Sequence, residues 1–170
     1  MSPRSAIIRD FRDDDLPAIL DVQARCPLAA QWRSEQYASL VGRANSILLV
    51  ADLVEEHKPS FGQGLDHRMQ DAAGVPLAGF VAFRRLVDEA ELENLAVLPQ
   101  YHRQGIARRL VVAGHEKLRR EGEKRVFLEV RSSNVPALSL YASIGYKQTQ
   151  VRKGYYRDPD EDARVLCFML

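Results

Sequence analysis

The stretch that decides the fold is Asp88–Arg108, which has the sequence DEAELENLAVLPQYHRQGIAR. It predicts a strand, a short loop, and a helix that begins on a turn containing Gly105. The first N–H groups of a helix have no helical partners and lie at the positive end of the helix dipole. The stretch therefore indicates an anion site, most often one for a phosphate. Taken alone, Arg103–Arg108 fits an ordinary helix start equally well.

Composition and charge favour an ordinary globular protein. The 170 residues predict a single domain (1–170), and 46% hydrophobic with 28% charged residues is typical of such a domain. A formal net charge of +1 gives no reason to expect direct nucleic-acid binding. The first residues contain no long apolar segment, so we expect neither a signal peptide nor a membrane span, and a cytoplasmic protein.

Several nucleotide and metal sites are disfavoured by missing motifs. The sequence has no GxxxxGK[ST] and no GxGxxG, which argues against a P-loop nucleotidase and a dinucleotide fold. Cys26 and Cys167 are far apart and show no metal-binding spacing, so we expect no metal. The histidines also lack ligand spacing, and we expect all four to be surface or loop residues: His57, His67, His102 and His115.

The periodicity predicts a strand, two helices, three strands, then helix, strand, helix and two strands. Residues 55–74 are rich in charge, Gly and His and predict a long flexible loop between two antiparallel strands. Asn134 is expected to cap the helix that ends near Ile144. The predicted class is α/β (α+β mixed), with a central mixed, mostly antiparallel sheet and helices on both faces.

Two residues are candidates for acid–base chemistry. Glu129 lies in a strand, on the same face as Phe127 and Arg131, where burial would raise the pKa of a carboxyl group. A salt bridge to Arg131 or another Arg is the alternative. Tyr141, near the end of the following helix, either packs on the sheet or donates a proton to a leaving group.

Two further carboxylates alternate along the strand that leads into the glycine turn. Glu91 and Glu93 are expected to share a face with Leu95 and Val97. One of them could hold a water or an amine, and the alternative is a solvent-facing pair at the strand end.

Together these segments resemble the GNAT superfamily of acetyl-CoA-dependent N-acetyltransferases and its acyl-CoA N-acyltransferase fold. Asn94–Val97 followed by Arg103–Arg108 is similar to the superfamily's cofactor motif. The segments FLEVRSSN (127–134), ALSLY (137–141), IGY (144–146) and VRKGYY (151–156) resemble the RimI group, which acetylates the N-terminal alanine of a small-subunit ribosomal protein. Before Asp88 the resemblance is limited to Trp32–Glu35.

The resemblance implies a role for each matching residue. Glu129 would be the general base, Tyr141 the general acid on the departing thiolate, and Asn134 a contact to the pantetheine. Backbone groups would bind the pantetheine arm and the acetyl carbonyl at Leu95, Ala96 and Val97. Main-chain N–H groups would cradle the pyrophosphate at Arg103, Gln104, Gly105, Ile106, Ala107 and Arg108. Residues on the acceptor side would be Trp32, Glu91, Glu93 and Tyr155.

The resemblance has two departures and leaves alternatives open. His102 stands where the superfamily motif usually has Gln or Arg, and the 55–74 loop is longer than in the RimI group. The acceptor is a protein N-terminus, or a small amine such as a polyamine or antibiotic; a non-catalytic acyl-CoA sensor is disfavoured by Glu129 and Tyr141 together. The effective base is Glu129 or a water held by Glu91 or Glu93. The oligomeric state stays open.

Overall fold

A computed structural model of the chain describes residues 4–40, 45–55 and 76–170. Apart from residue 55, the loop expected at 55–74, with His57 and His67, lies outside these residues. The strands are β1 (Arg4–Asp10), β2 (Ser46–Glu55), β3 (Leu77–Arg85), β4 (Glu89–Val97), β5 (Arg125–Arg131), β6 (Lys147–Tyr156) and β7 (Glu161–Met169). The helices are α1 (Leu16–Ala24), α2 (Ser34–Leu40), α3 (Ile106–Arg120) and α4 (Val135–Ile144). This order confirms the predicted one.

The seven strands form one sheet in the order β1-β2-β3-β4-β5-β7-β6. All neighbours are antiparallel except β4 and β5, which are parallel because α3 carries the chain back between them. The fold is therefore the expected mixed, mostly antiparallel sheet. No helix within the described ranges is long and apolar enough to cross a membrane.

The helices cover both faces of the sheet. The apolar stripe of α3 packs on one face together with α4, and the stripe includes Leu110, Val111 and Leu118. Gly114 lies in the same stripe, and a Cβ atom there would be 2.1 Å from the Phe83 ring of β3. The other face carries α1 and α2, whose side chains form a second, smaller cluster with Phe80.

His115 corrects one expectation, because it is buried at 3% exposure rather than at the surface. It follows Val111 by four residues and so lies on the buried side of α3. Its Nε2 is 2.7 Å from the Tyr146 hydroxyl, and its ring stacks on Phe168 at 4.4 Å. Burial, with a smaller effect from the Arg119 charge, lowers the pKa of His115 to about 4.

A β-bulge in β4 corrects a second expectation. Asn94 pairs with Ala82 but Leu92 pairs with Phe83, so Glu93 is an extra residue opposite β3. An extra residue reverses the alternation of side chains beyond it. Leu95 and Val97 therefore pack in the core under α3, whereas Glu91 and Glu93 both bind Arg84. The prediction that all four share one face was wrong, since nothing local in the sequence marks the bulge.

The same strand separates from its parallel neighbour. Within the described part of the chain, β4 and β5 pair only from Glu89–Arg125 to Leu92–Leu128. Beyond that point β4 continues beside β3, and β5 continues beside β7. The sheet is thus open in its middle at the C-terminal ends of β4 and β5.

Candidate active site

The opening between β4 and β5 contains a cavity of about 400 Å³. Three parts of the chain surround it: the segment between α1 and α2, the end of β4, and the end of β5 with α4 and β6. The lining residues are Pro27–Gln31, Leu92–Leu95, Glu129–Arg131, Asn134, Ala137, Tyr141 and Tyr156. The fold therefore brings Glu93, Leu95, Glu129, Asn134 and Tyr141 to one place, although they span three elements.

The segment between the first two helices is fixed by buried hydrogen bonds. Asn94 donates from Nδ2 to the carbonyl of Ala30 (3.0 Å) and to the hydroxyl of Tyr37 (3.1 Å). That hydroxyl in turn donates to Oε1 of Gln23 on α1 (2.6 Å). Asn94 is 3% exposed, so these bonds hold one cavity wall firmly against β4.

Glu129 is held by two residues of β6. Nη1 of Arg152 lies 2.5 Å from Glu129 Oε1, and the side chain of Glu129 is 17% exposed. The Tyr155 hydroxyl also donates to this carboxylate, and that bond is the main reason why the pKa of Tyr155 is raised. The salt bridge that the sequence offered as an alternative does exist, but with Arg152, because Arg131 pairs with Glu161 at 3.2 Å.

Tyr141 is 6% exposed, and its ring meets that of Tyr146 edge-on at 5.4 Å. Burial, with a smaller contribution from Tyr156, raises the pKa of Tyr141 well above its ordinary value. Its hydroxyl group therefore keeps its proton at neutral and moderately alkaline pH. A carboxylate and a protonated phenol thus border the same cavity, from β5 and α4.

Asn134 caps α4, as expected. Its side chain accepts a hydrogen bond from the backbone N–H of Ala137 at 3.2 Å. Pro136 lies just inside the helix, and Gly145 ends it with φ 114°. The cap holds the Asn134 oxygen at the cavity wall, while the side-chain NH₂ group is the donor that this residue can offer to a ligand.

The backbone of β4 presents alternate residues to the opening. Leu98 donates its N–H to Ala78 at 2.8 Å, which makes this a hydrogen-bonded pair of the antiparallel ladder. Such pairs alternate along a ladder, so Ala96 pairs with Phe80 through both of its backbone groups. Leu95 then directs both of its backbone groups away from β3, into the opening, and Val97 directs its N–H there. Of the three residues expected to bind there, Ala96 has its backbone groups engaged by β3.

The carbonyl of Val97 has two partners. Nε2 of His102 lies 2.7 Å away, and Sγ of Cys26 lies 3.3 Å away. A carbonyl only accepts, so Nε2 carries the proton of the His102 ring. His102 does lie in a loop, as expected, but its ring is anchored to the end of β4.

The loop before α3 has the conformation of an anion site. Arg103 and Gly105 have φ values of 62° and 76°, in the left-handed region that favours glycine. The first bond of α3 runs from Arg109 to the Gly105 carbonyl (3.0 Å), so the N–H groups of residues 106–108 precede the helical ladder. A Cβ at Gly105 would meet nothing within 4 Å. The Arg108 side chain bonds the Ser143 carbonyl of α4 (3.0 Å).

The acceptor-side residues are placed differently from one another. Arg84 binds both Glu91 and Glu93, at 2.6 and 2.7 Å, and of the two carboxylates Glu93 lines the cavity. Tyr155 is 45% exposed beside Glu129. Trp32 does not line the cavity: its ring packs on Tyr37 at 5.1 Å, and Pro27–Gln31 form the wall instead.

Sequence reasoning missed several residues of the site. Arg84, Arg152 and the segment Pro27–Gln31 had no assigned role. No local pattern marks the two arginines, because each binds a carboxylate in another strand and the contact depends on sheet order and register. Among residues 4–40, 45–55 and 76–170 there is no group of three or more His, Cys, Asp or Glu suited to a metal ion.

Comparison with known proteins gives consistent matches. The chain matches the Acetyltransferase (GNAT) family over residues 26–146. It is 39% identical over 162 residues to the [ribosomal protein bS18]-alanine N-acetyltransferase of Escherichia coli K12, covering 94% of the chain and 95% of that protein. The crystal structure of the ribosomal-protein-S18-alanine N-acetyltransferase from Escherichia coli superimposes with a TM-score of 0.74 at 30% identity, covering 96% of this chain and 93% of that one.

A more distant neighbour shares the fold alone. Arabidopsis thaliana NAA60 in complex with acetyl-CoA has a TM-score of 0.77 at 17% identity, and the match covers 98% of this chain and 99% of that one.

Proposed function

Because the chain belongs to the acetyltransferase (GNAT) family and is an acetyl-CoA-dependent N-acetyltransferase, we propose that its acceptor is a protein N-terminus. The acceptor class that we favour is the α-amine of a ribosomal protein that begins with alanine. The observation that carries this choice is the 39% identity, over 94% of the chain, to an enzyme named for that reaction. Such an acceptor is made in the cytoplasm, which is where we place the enzyme.

The pyrophosphate and the acetylated pantetheine arm of acetyl-CoA each suit a different part of the site. The N–H groups at the start of α3 suit the pyrophosphate, since the helix dipole also favours negative charge there. The backbone groups of Leu95 and the N–H of Val97 suit the amide-rich pantetheine arm and the acetyl carbonyl, and Asn134 borders the same path. The wall formed by Pro27–Gln31 and the exposed Tyr155 are left for the acceptor.

The reaction that these groups support is direct transfer. An amine attacks a thioester only when it is neutral, and an N-terminal amine with a pKa of ~7.7–8.0 reaches that form far more readily than Lys at ~10.4. Glu129 accepts the proton of the amine, directly or through one water. The Val97 N–H stabilises the tetrahedral oxyanion. The new C–N bond forms, the C–S bond breaks, and Tyr141 protonates the departing thiolate.

Release of free CoA thiol tests the proposal. We expect acetyl-CoA and a peptide that begins with alanine to release thiol, whereas the same peptide with a blocked N-terminus releases none. Spermidine and an aminoglycoside test small acceptors. Release with these amines and not with the peptide contradicts the proposed acceptor. Protection from heat by acetyl-CoA, with no release for any amine, contradicts catalysis altogether.

The role of Glu129 is tested with the isosteric change Glu129→Gln. We expect kcat to fall by roughly 10²–10⁴-fold, with binding of acetyl-CoA unchanged. Glu116→Gln, which alters an exposed carboxylate on α3, is the control. If Glu129→Gln keeps near-normal turnover, a water held by Glu93 becomes the better candidate for the base.

A further inference from the structure

We propose that Arg131 is a positioning residue that anchors the turn between β6 and β7, residues 157–160, and with it the Tyr156 ring on the acceptor side of the cavity. Arg131 acts through the turn and the ring rather than on the reacting atoms. This inference rests on the proposed function, because it concerns how the same site binds a peptide acceptor.

The guanidinium group of Arg131 binds the turn at three points. Its Nη1 donates to the Pro159 carbonyl and to Oε2 of Glu161, and its Nη2 donates to the Arg157 carbonyl, each at 3.2 Å. A rigid planar fork that donates to several acceptors fixes their relative positions, which a flexible ammonium group does not. One side chain at the end of β5 therefore holds the whole turn.

The same guanidinium group holds the Tyr156 ring. Its central carbon, Cζ, lies over that ring at 4.3 Å from the centroid, where a cation is attracted to the aromatic face. Tyr155 meets the ring edge-on at 5.1 Å. Because Tyr156 lines the cavity, the position of this part of the cavity wall depends on Arg131.

Strand pairing alone does not fix this end of β6. The strand lies at the edge of the sheet, and its residues are exposed up to the last one. Arg152 and Tyr156 are four residues apart, but their partners in β7 are two residues apart, so β6 bulges between them. Asp162 accepts from the Gly154 N–H at 2.9 Å inside the bulge, and the bonds from Arg131 hold the turn beyond it.

Arg131 lies on the acceptor side of the sheet rather than on the side of α3. Val130 packs in the core under α3, so Glu129 and Arg131 face the opposite side by strand alternation. That side is covered by α1 and α2, and it includes the wall formed by Pro27–Gln31. The start of α3, which suits the pyrophosphate, lies on the other side.

The start of α4, which presents Asn134, has its own bonds to β7. The Ser132 N–H donates to the Asp162 carbonyl at 3.1 Å, and the Ser133 N–H donates to Oε1 of Glu161 at 2.5 Å. Neither bond uses the Arg131 side chain. Loss of the guanidinium group should therefore weaken binding of a peptide acceptor and leave binding of acetyl-CoA nearly unchanged.

The variant Arg131→Met removes the guanidinium group and keeps an apolar side chain of similar length. With a peptide that begins with alanine and saturating acetyl-CoA, we expect the KM of the peptide to rise about tenfold, through the loss of charge-assisted hydrogen bonds. We expect kcat to fall by less than about threefold, and the Kd of acetyl-CoA from calorimetry to stay within about twofold. Arg131→Lys keeps the charge but not the fork, so its KM should lie between those of the wild type and Arg131→Met.

Arg125→Met is the matched control. Arg125 begins β5, pairs with Glu89 at 2.9 Å and lies over the Phe127 ring at 5.4 Å, so it makes contacts of the same kinds away from the cavity. Neither KM nor kcat should change in this variant. Amide hydrogen exchange of residues 157–162 without ligand tests the anchor directly, and we expect it to be about tenfold faster in Arg131→Met than in the wild type.

Three outcomes would overturn the inference. The first is an unchanged KM of the peptide in Arg131→Met. The second is an equal loss of affinity for the peptide and for acetyl-CoA, as expected if Arg131 only stabilises the fold. The third is unchanged hydrogen exchange in the turn. A wild-type enzyme that binds acetyl-CoA but releases no thiol with the peptide contradicts the proposed function instead, and the exchange comparison still decides whether Arg131 anchors the turn.

Discussion

Arg152 on the edge strand β6 reaches across β7 to place Nη1 at 2.5 Å from Oε1 of Glu129 on β5. The small residue Ala163 of β7 is the register partner of both Arg152 and Arg131, so little side-chain volume lies between β5 and β6. The edge strand thus reaches the centre of the site, and with Tyr155 it orients the carboxylate that we propose as the proton acceptor.

Replacing Arg152 by Met tests this orientation. We expect kcat to fall about three- to tenfold with unchanged binding of acetyl-CoA, because a half-exposed ion pair contributes modestly but fixes the direction of the carboxylate. Steady-state kinetics with the peptide acceptor measures the effect. Lys153→Met is the matched control, because Lys153 is adjacent but pairs with Asp162. Equal activities of the two variants would show that Arg152 has no special role.

Tyr141→Phe removes the proposed acid while keeping the ring that packs on Tyr146. We expect kcat to fall by roughly 10²-fold or more with little change in thermal stability. Because burial raises the pKa of Tyr141, its proton is retained as pH rises, and wild-type kcat should not decline between pH 8 and about 9.5. A pH–rate profile decides this, and an alkaline limb that is present in the wild type but absent from Tyr141→Phe would contradict the raised pKa.

His115 predicts a pH dependence of stability. Its pKa is about 4 in the folded protein and 6.5 when unperturbed, so the unfolded chain binds the additional proton between these values. The contribution of His115 to the free energy of unfolding is therefore fully present above about pH 6.5. It is lost as pH drops towards 4, and the loss is at most about 3 kcal/mol. Urea titrations at pH 7.5, 5.5 and 4.5 measure it.

The variant His115→Gln serves as the comparison for these titrations. It keeps a polar partner for Tyr146 but cannot titrate, so its stability should depend less on pH across the same window. Parallel curves for the two proteins would show that His115 is not the group responsible.

Gly114→Ala should destabilise the fold, because the added methyl group would meet the Phe83 ring at 2.1 Å. Overpacking of this kind costs about 1–3 kcal/mol, or a Tm decrease of about 2–12 °C for a chain of this size. Differential scanning calorimetry measures the change. Combining Gly114→Ala with Phe83→Leu makes room for the methyl group, so the double variant should lose less stability than the sum of the two single variants. Strict additivity would argue against a clash.

Asn134 combines two roles that substitutions can separate. Asn134→Asp keeps the oxygen that caps α4 but loses the NH₂ donor, so we expect near-normal stability and a higher KM for acetyl-CoA. Asn134→Ala loses both and should also cost about 1 kcal/mol of stability. Thermal unfolding and kinetics are measured on the same preparations. A normal KM in the Asp variant would remove Asn134 from the list of cofactor contacts.

Local patterns predicted the secondary structure because each one is complete within a short window. The cap at Asn134, for example, depends on a residue three positions further along the chain. The bulge at Glu93 was missed because it depends on pairing with β3. The 3.6-residue period of α3 places His115 on the buried side of the helix. The sequence-based expectation instead followed the polarity of histidine and placed it at the surface.

The site was predictable only where it matched a known motif. Glu129, Asn134 and Tyr141 do border one cavity, although their chemical roles stay predictions. Arg152 and Arg84 act across strands, so their contacts depend on sheet order and register. Trp32 shows the converse. It lies in a segment similar to the family's, but it is partly buried against Tyr37, and its neighbours Pro27–Gln31 form the wall.

The short pairing between β4 and β5 also has a mechanical consequence. The sheet is joined there by a parallel ladder from Glu89–Arg125 to Leu92–Leu128, which makes this line the natural seam for opening motions. A ligand that bridges the seam supplies the cross-links that the strands lack, so saturation with acetyl-CoA should stiffen the whole domain. Amide hydrogen exchange at Leu95 and Val97 would then report cofactor occupancy directly.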